Sequence, residues 1–127
     1  MSIKITSIDY FLPVNVVTNS DLKKENPDWD LDSVEKKSGV LERHIARQDE
    51  TALDLSVEAC HKLFDQYGDD IQNIDAVIFC TQSPDHIMPP NSYLLQKRLG
   101  LSEDIIAYDF NHACSGYIYS RHNSTHI

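Results

Sequence analysis

The chain has 127 residues, 41% of them hydrophobic, and a formal net charge of -9 at pH 7. This length supports the core of one domain at most, and the acidic balance argues against a nucleic-acid partner, whose phosphates attract basic surfaces. Three cysteines, an odd number, with no signal peptide and no long apolar run, predict a reducing cytoplasmic location and no membrane segment.

The first half of the chain alternates apolar strands with short amphipathic helices, which is typical of a layered α/β domain. Gly39 is predicted to end the second helix as a left-handed cap. The predicted elements, in chain order, are a strand over residues 4–10, a helix over 19–24 capped by Thr18 or Asn19, a helix over 31–37 and an extended segment over 40–46.

A long helix is predicted to follow Thr51, because apolar residues recur at helical spacing from Ala52 to Tyr67. Cys60 falls on the apolar face of this helix, so we interpret it as core packing. Cys80 ends the next apolar run, residues 76–79, and receives the same interpretation. Both cysteines are therefore left out of the predicted site.

The last third of the chain contains a loop, a helix and a second strand. The loop between Thr81 and Asn91 holds three prolines and leads into a helix over residues 91–99. Residues 105–110 are predicted to form a buried strand. This strand leads into a turn of small residues with Cys114 at its apex, and residues 116–119 begin another helix.

Cys114 is the candidate nucleophile. The positive end of a helix favours a thiolate, which is the form of cysteine that attacks a thioester, and backbone amides at such a turn can hold an oxyanion. The alternative is that Cys114 is a small packing residue, as most free cysteines are. His112 could face the same side as the thiol, although a solvent-exposed or packing residue is the simpler interpretation. The sequence has no close pair of histidines on one helix face and no Cys-x-x-Cys. It therefore gives no support to a metal site.

Several segments in a fixed order resemble the N-terminal part of the beta-ketoacyl-acyl-carrier-protein synthase III family, condensing enzymes of the thiolase superfamily. The resemblance extends to about Ser120. Its segments are residues 10–13, 17–22, Trp29, 38–46, 75–85, 94–101 and 113–116. No single segment is specific, but their joint order and spacing are.

The resemblance implies a thiolase-like layered fold, of which this chain holds an incomplete first half only. Residues 1–120 would be the N-terminal portion of that domain, and the polar residues 121–127 would be a tail foreign to the fold. The implied activity is an acyltransferase reaction of fatty acid or related biosynthesis: Cys114 takes an acyl group from acyl-CoA, and a decarboxylative Claisen condensation with malonyl-acyl carrier protein follows. Coenzyme A enters as a substrate thioester, and no separate cofactor or metal is implied.

The resemblance also implies where the substrates bind. Trp29 and Lys37 would hold the adenine and phosphate end of coenzyme A, with a cation suited to phosphate. The segment from Trp29 to Gly39 is longer than in housekeeping members, so Lys37 matches only by its place before residues 38–39. Met88 would reach across a homodimer interface to line the partner's acyl pocket. Packing alone is the alternative interpretation for both Trp29 and Met88.

Condensation in this family needs a histidine and an asparagine from the second half of the fold, which no residue of this chain matches. We therefore expect a truncated or frameshifted sequence that is inactive in condensation by itself. Two alternatives remain open. One is a non-catalytic binding or dimerisation remnant, and the other is a different thiolase-superfamily enzyme, such as a hydroxymethylglutaryl-CoA synthase.

Overall fold

The computed structural model describes residues 4–68 and 71–127, which form two compact units. The smaller unit is Leu12–Glu50, and the larger one combines residues 4–11 with the described residues from Thr51 onward. Strands and helices alternate, which confirms the α/β class. The elements are β1 Asn15–Thr18, α1 Asn19–Glu25, α2 Leu31–Ser38, β2 Glu42–Ile45, α3 Ala52–Tyr67, β3 Ala76–Cys80, α4 Asn91–Leu99, β4 Ile106–Phe110 and α5 Gly116–Asn123, with short 3-10 turns at Ile71–Asn73 and Ser124–His126.

The smaller unit contains two paired strands, β1 and β2, and the helices α1 and α2 lie between them in sequence. β1 and β2 pair antiparallel, with Asn15 opposite Ile45. Both predicted helices are present, and Gly39 ends α2 with a positive φ of 73°, which only glycine adopts without strain. The extended segment is confirmed as β2, whereas its partner β1 has no counterpart in the sequence prediction.

The capping box that begins α1 lowers the pKa of Asp21. The Thr18 side chain accepts a hydrogen bond from the Asp21 backbone N–H, and the Thr18 hydroxyl donates to Asp21 Oδ2 at 2.6 Å. This hydroxyl bond, the Lys24 ammonium and the Thr18 backbone N–H together lower the pKa of Asp21 from 3.8 to about 2. The folded chain therefore favours the ionised carboxylate.

Because the folded pKa is the lower one, this stabilisation of α1 is fully present above pH 3.8 and is lost as the pH falls through about 2. We expect Thr18→Ala to raise the pKa of Asp21 toward its ordinary value, as measured by an NMR titration of the carboxyl carbon. Thr51→Ala, which removes the equivalent box at α3, is the control and should leave the Asp21 titration unchanged. An unshifted Asp21 in Thr18→Ala would contradict the assignment.

The larger unit is a β3–α4–β4 crossover with α3 packed on α4. β3 and β4 pair in parallel, Ala76 beside Ile106 and Cys80 beside Phe110, and a parallel pair requires such a crossover. α3 follows Thr51, as predicted, and the Thr51 side chain caps it. One buried cluster of this unit consists of Leu53, Val57, Phe79 and Leu95, with Cys60, Val77, Leu94 and Leu99 packed against it.

The prediction of a strand over residues 4–10 is wrong. No residue of that segment lies in a paired strand within the described ranges. It is held instead through Lys62, whose Nζ donates to the Tyr10 carbonyl at 2.6 Å and lies 3.2 Å from Asp9 Oδ1. A local sequence pattern alone cannot form a strand, because a strand needs a partner backbone for its ladder.

The prediction that β4 is buried is also wrong. Ile106 is 49% exposed and the other four residues of β4 are only partly buried. Among the residues the structure describes, β4 pairs with β3 alone, so its second edge and part of its faces remain uncovered. The run of apolar residues correctly predicted the strand but not the number of its neighbours.

Candidate active site

Cys114 lies in a short turn that joins β4 to α5. The turn is closed by a hydrogen bond from the Gly116 backbone N–H to the Ala113 carbonyl at 2.9 Å, and Tyr119 N–H then donates to the Ser115 carbonyl at 3.2 Å as the helix begins. Cys114 is exposed. The predicted strand, turn and helix are thus confirmed, with the thiol two residues before the helix.

The position of Cys114 suits acyl transfer. The first N–H groups of a helix have no partner within it. In α5, those of Gly116 and Ile118 donate to the carbonyls of Ala113 and Ser115, at 2.9 and 3.0 Å, and are therefore already used. Backbone N–H donors placed at such a point can stabilise the oxyanion that forms when a thiolate attacks a carbonyl. The arrangement therefore supplies an accessible thiol at the start of a helix, where the Tyr117 N–H is the candidate oxyanion donor.

His112 packs against α5. Its ring stacks on the Tyr119 ring with centroids 4.7 Å apart and meets the Phe110 ring edge-on at 5.6 Å. Its Nδ1 lies 3.3 Å from Ser115 Oγ. His112 is exposed, but its ring contacts with Phe110 and Tyr119 favour the packing interpretation.

The packing interpretation holds for Cys60 but is wrong for Cys80. Cys60 is partly buried, and burial raises the pKa of its thiol. Cys80 is exposed, and its Sγ donates to the His112 carbonyl at 3.6 Å. The thiol lies directly against Gly116, so a Cβ on that glycine would collide with Cys80 Sγ. Cys80 was assigned to the core because it ends an apolar run. A sequence pattern does not show that the end of this strand contacts the turn beside Gly116.

Asp109 is a structural residue of the site that sequence reasoning missed. Its Oδ2 and Oδ1 accept the backbone N–H groups of Asn91 and Ser92, each at 2.7 Å. They thereby cap α4, whose own N-cap residue, Pro90, makes no side-chain cap. The signal was present in the sequence, because a helix that begins after proline without a capping side chain must find acceptors elsewhere.

The remaining predicted site residues are exposed. Met88 is 79% exposed in the loop before α4, in the same unit as Cys114. Trp29 is 52% exposed between α1 and α2, and Lys37 lies in the last turn of α2, both in the smaller unit. Their predicted roles in holding coenzyme A and the acyl group stay predictions.

Two features of the described residues bear on other function classes. Within residues 4–68 and 71–127, histidine, cysteine and acidic side chains form no group of three or more that could hold a metal ion. Within the same ranges, every helix is too short or too polar to cross a membrane.

The chain is similar to condensing enzymes in sequence and in fold. It is 34% identical over 127 residues to "Beta-ketoacyl-[acyl-carrier-protein] synthase III" of Solibacter usitatus, covering 98% of this chain and 37% of the relative. A crystal structure of 3-oxoacyl-(acyl-carrier-protein) synthase III superposes with a TM-score of 0.87 at 42% identity, over 94% of this chain and 36% of that one. The corresponding synthase of Thermus thermophilus gives a TM-score of 0.85 at 30% identity, over 95% and 37%. No protein-family model matches.

These similarities confirm the predicted resemblance and the thiolase-like fold. The chain spans a little over a third of the length of the curated relatives it matches, between 35% and 38%. It is a relative of the beta-ketoacyl-acyl-carrier-protein synthase III proteins over that shared part.

Proposed function

From this relationship to the beta-ketoacyl-acyl-carrier-protein synthase III proteins, we propose that Cys114 accepts an acyl group from acyl-CoA. The observation that carries the proposal is the exposed Cys114 thiol in the turn that begins α5. The Cys114 thiolate attacks the thioester carbonyl, the oxyanion is held by backbone N–H groups, and the coenzyme A thiolate leaves and takes up a proton. The product is an acyl thioester on Cys114.

The second reaction is condensation with malonyl-acyl carrier protein. Decarboxylation of the malonyl group leaves an enolate, whose carbon attacks the acyl thioester and releases Cys114. Donors are needed to hold the enolate oxygen, and the family's histidine and asparagine for this step match no residue of the chain. The 127-residue polypeptide by itself is therefore expected to be acylated but to form no carbon–carbon bond.

The binding residues belong to the same proposal. Trp29 stacks on the adenine of coenzyme A, and Lys37 pairs with a phosphate, because an ammonium group suits a phosphate oxygen. Met88 lines the acyl pocket of a homodimer partner, where an unbranched side chain adapts to different acyl shapes. The acyl carrier protein delivers the malonyl group, and the reaction belongs to fatty acid or related biosynthesis in the cytoplasm.

Mass spectrometry of the 127-residue polypeptide after incubation with acetyl-CoA tests the acylation step. We expect one acetyl group on Cys114, none in Cys114→Ala, and unchanged acetylation in Cys60→Ser and Cys80→Ser. Iodoacetamide near neutral pH should label Cys114 faster than Cys60, whose thiol pKa is raised by burial. If neither acetyl-CoA nor any other acyl-CoA acylates Cys114, the proposal is refuted and a binding remnant without catalysis is favoured.

A further inference from the structure

His112 contacts three of the elements around the Cys114 turn. Its ring lies between the Tyr119 ring of α5, at a centroid distance of 4.7 Å, and the Phe110 ring of β4, at 5.6 Å. Its backbone carbonyl accepts a hydrogen bond from Cys80 Sγ, at the end of β3, at 3.6 Å. A single residue therefore joins the strand before the nucleophile to the helix after it, although it is itself exposed.

The His112 side chain also contacts the residue that follows the nucleophile. Its Nδ1 lies 3.3 Å from Ser115 Oγ, within hydrogen-bond distance. Ser115 is the N-cap residue of α5, yet its hydroxyl makes no side-chain cap with that helix. A serine in this position normally accepts a hydrogen bond from the second or third N–H of the helix. In this turn the Ser115 hydroxyl is paired with the His112 ring instead.

Two threonine caps of the same chain show what Ser115 does not do. Thr18 and Thr51 accept the backbone N–H of the third residue of α1 and of α3, and their ψ angles are 164° and 170°. Such an extended N-cap backbone accompanies a side chain that caps the helix. Ser115 has a ψ of -13°, so its hydroxyl does not compete for the Tyr117 N–H, which is the candidate oxyanion donor.

We propose that His112 is a positioning residue for acyl transfer, which holds the Ser115 hydroxyl away from the start of α5 and so keeps the Tyr117 N–H available to the oxyanion. This inference rests on the proposed acylation of Cys114. Stacking on Tyr119 keeps the imidazole beside the turn. Without the imidazole, the Ser115 hydroxyl is free to accept the Tyr117 N–H, as N-cap hydroxyls do, and the oxyanion loses its donor.

The test removes each of the two partners alone and then both together. His112→Ala frees the Ser115 hydroxyl, Ser115→Ala removes it, and the double variant lacks both groups. His61→Ala, at an exposed histidine of α3, is the matched control. The limiting rate of Cys114 acylation by acetyl-CoA is measured by mass spectrometry, together with the rate of Cys114 alkylation by iodoacetamide. Alkylation displaces iodide in one step and forms no oxyanion, so it reports the reactivity of the thiol alone.

We expect His112→Ala to lower the limiting acylation rate by about 100-fold, a typical loss when one oxyanion donor is removed. The double variant should regain the wild-type rate, because no hydroxyl is left to take the Tyr117 N–H. Ser115→Ala and His61→Ala should acylate as wild type does, and alkylation should be unchanged in every variant. A wild-type acylation rate in His112→Ala, or a double variant as slow as His112→Ala, would overturn the inference.

Two further measurements keep the test independent of folding and of the proposed function. If His112→Ala does not fold, His112→Phe, which keeps a ring for Tyr119 but lacks Nδ1, takes its place with the same expected result. Hydrogen exchange of the Tyr117 amide should be slower in the His112 variant than in wild type, because the Ser115 hydroxyl now accepts that N–H. If no acyl-CoA acylates the wild-type chain, the proposed function fails, and unchanged exchange of the Tyr117 amide would refute the role of His112 separately.

Discussion

Gly116→Ala is expected to destabilise the chain by about 1–3 kcal/mol, the usual cost of forcing an extra methyl group into an occupied space. A Cβ at this position would collide with Cys80 Sγ and would lie 3.2 Å from His112 Cβ. Glycine to alanine in a helix normally stabilises it by roughly 0.5–1 kcal/mol. A lower free energy of unfolding, measured by urea denaturation, would therefore be opposite in sign to the change that helix propensity predicts.

The matched control for this prediction removes the atom that causes the collision. In a Cys80→Ala background the same Gly116→Ala replacement should cost little, because only the tight contact with His112 remains. The coupling between the two sites is obtained from the double-mutant cycle. Equal destabilisation in both backgrounds would show that Cys80 is not the residue that excludes a side chain at Gly116.

Local signals predicted the helices well. As predicted, α3 follows Thr51, Gly39 ends α2, and α4 spans residues 91–99. The strand, turn and helix around Cys114 were also predicted from the same kind of signal. These features depend on residues within a few positions of one another, because capping and helix periodicity act over one or two turns.

Features that depend on distant partners were missed. The segment over residues 4–10 was predicted as a strand, yet it is held through Lys62 rather than through a ladder. Cys80 lies at the end of an apolar run, yet its thiol contacts the turn beside Gly116. The residue that caps α4 is Asp109, which comes after the helix in sequence. Sequence patterns carry no information on which distant backbone or side chain comes to lie beside a given residue.

Asp109→Ala is the replacement from which we expect the largest loss of stability. Asn91 and Ser92 are both 0% exposed, and without Asp109 their backbone N–H groups lose their acceptors. Leaving a buried donor unpaired costs roughly 1–3 kcal/mol, so two such donors predict a loss of about 2–6 kcal/mol. The helix end also loses the favourable interaction of a carboxylate with the first turn of α4.

Two further variants separate the role of Asp109 from a general effect of removing an acidic residue. Asp104→Ala removes an exposed carboxylate from the loop before β4 and should leave the urea unfolding midpoint unchanged. Asp109→Asn keeps one acceptor oxygen but presents an NH₂ group to the second buried N–H, so its stability should lie between those of wild type and Asp109→Ala. If Asp109→Ala unfolds at the same urea concentration as Asp104→Ala, the N–H groups of Asn91 and Ser92 have other acceptors, and the tie between the Cys114 strand and α4 is not made by this side chain.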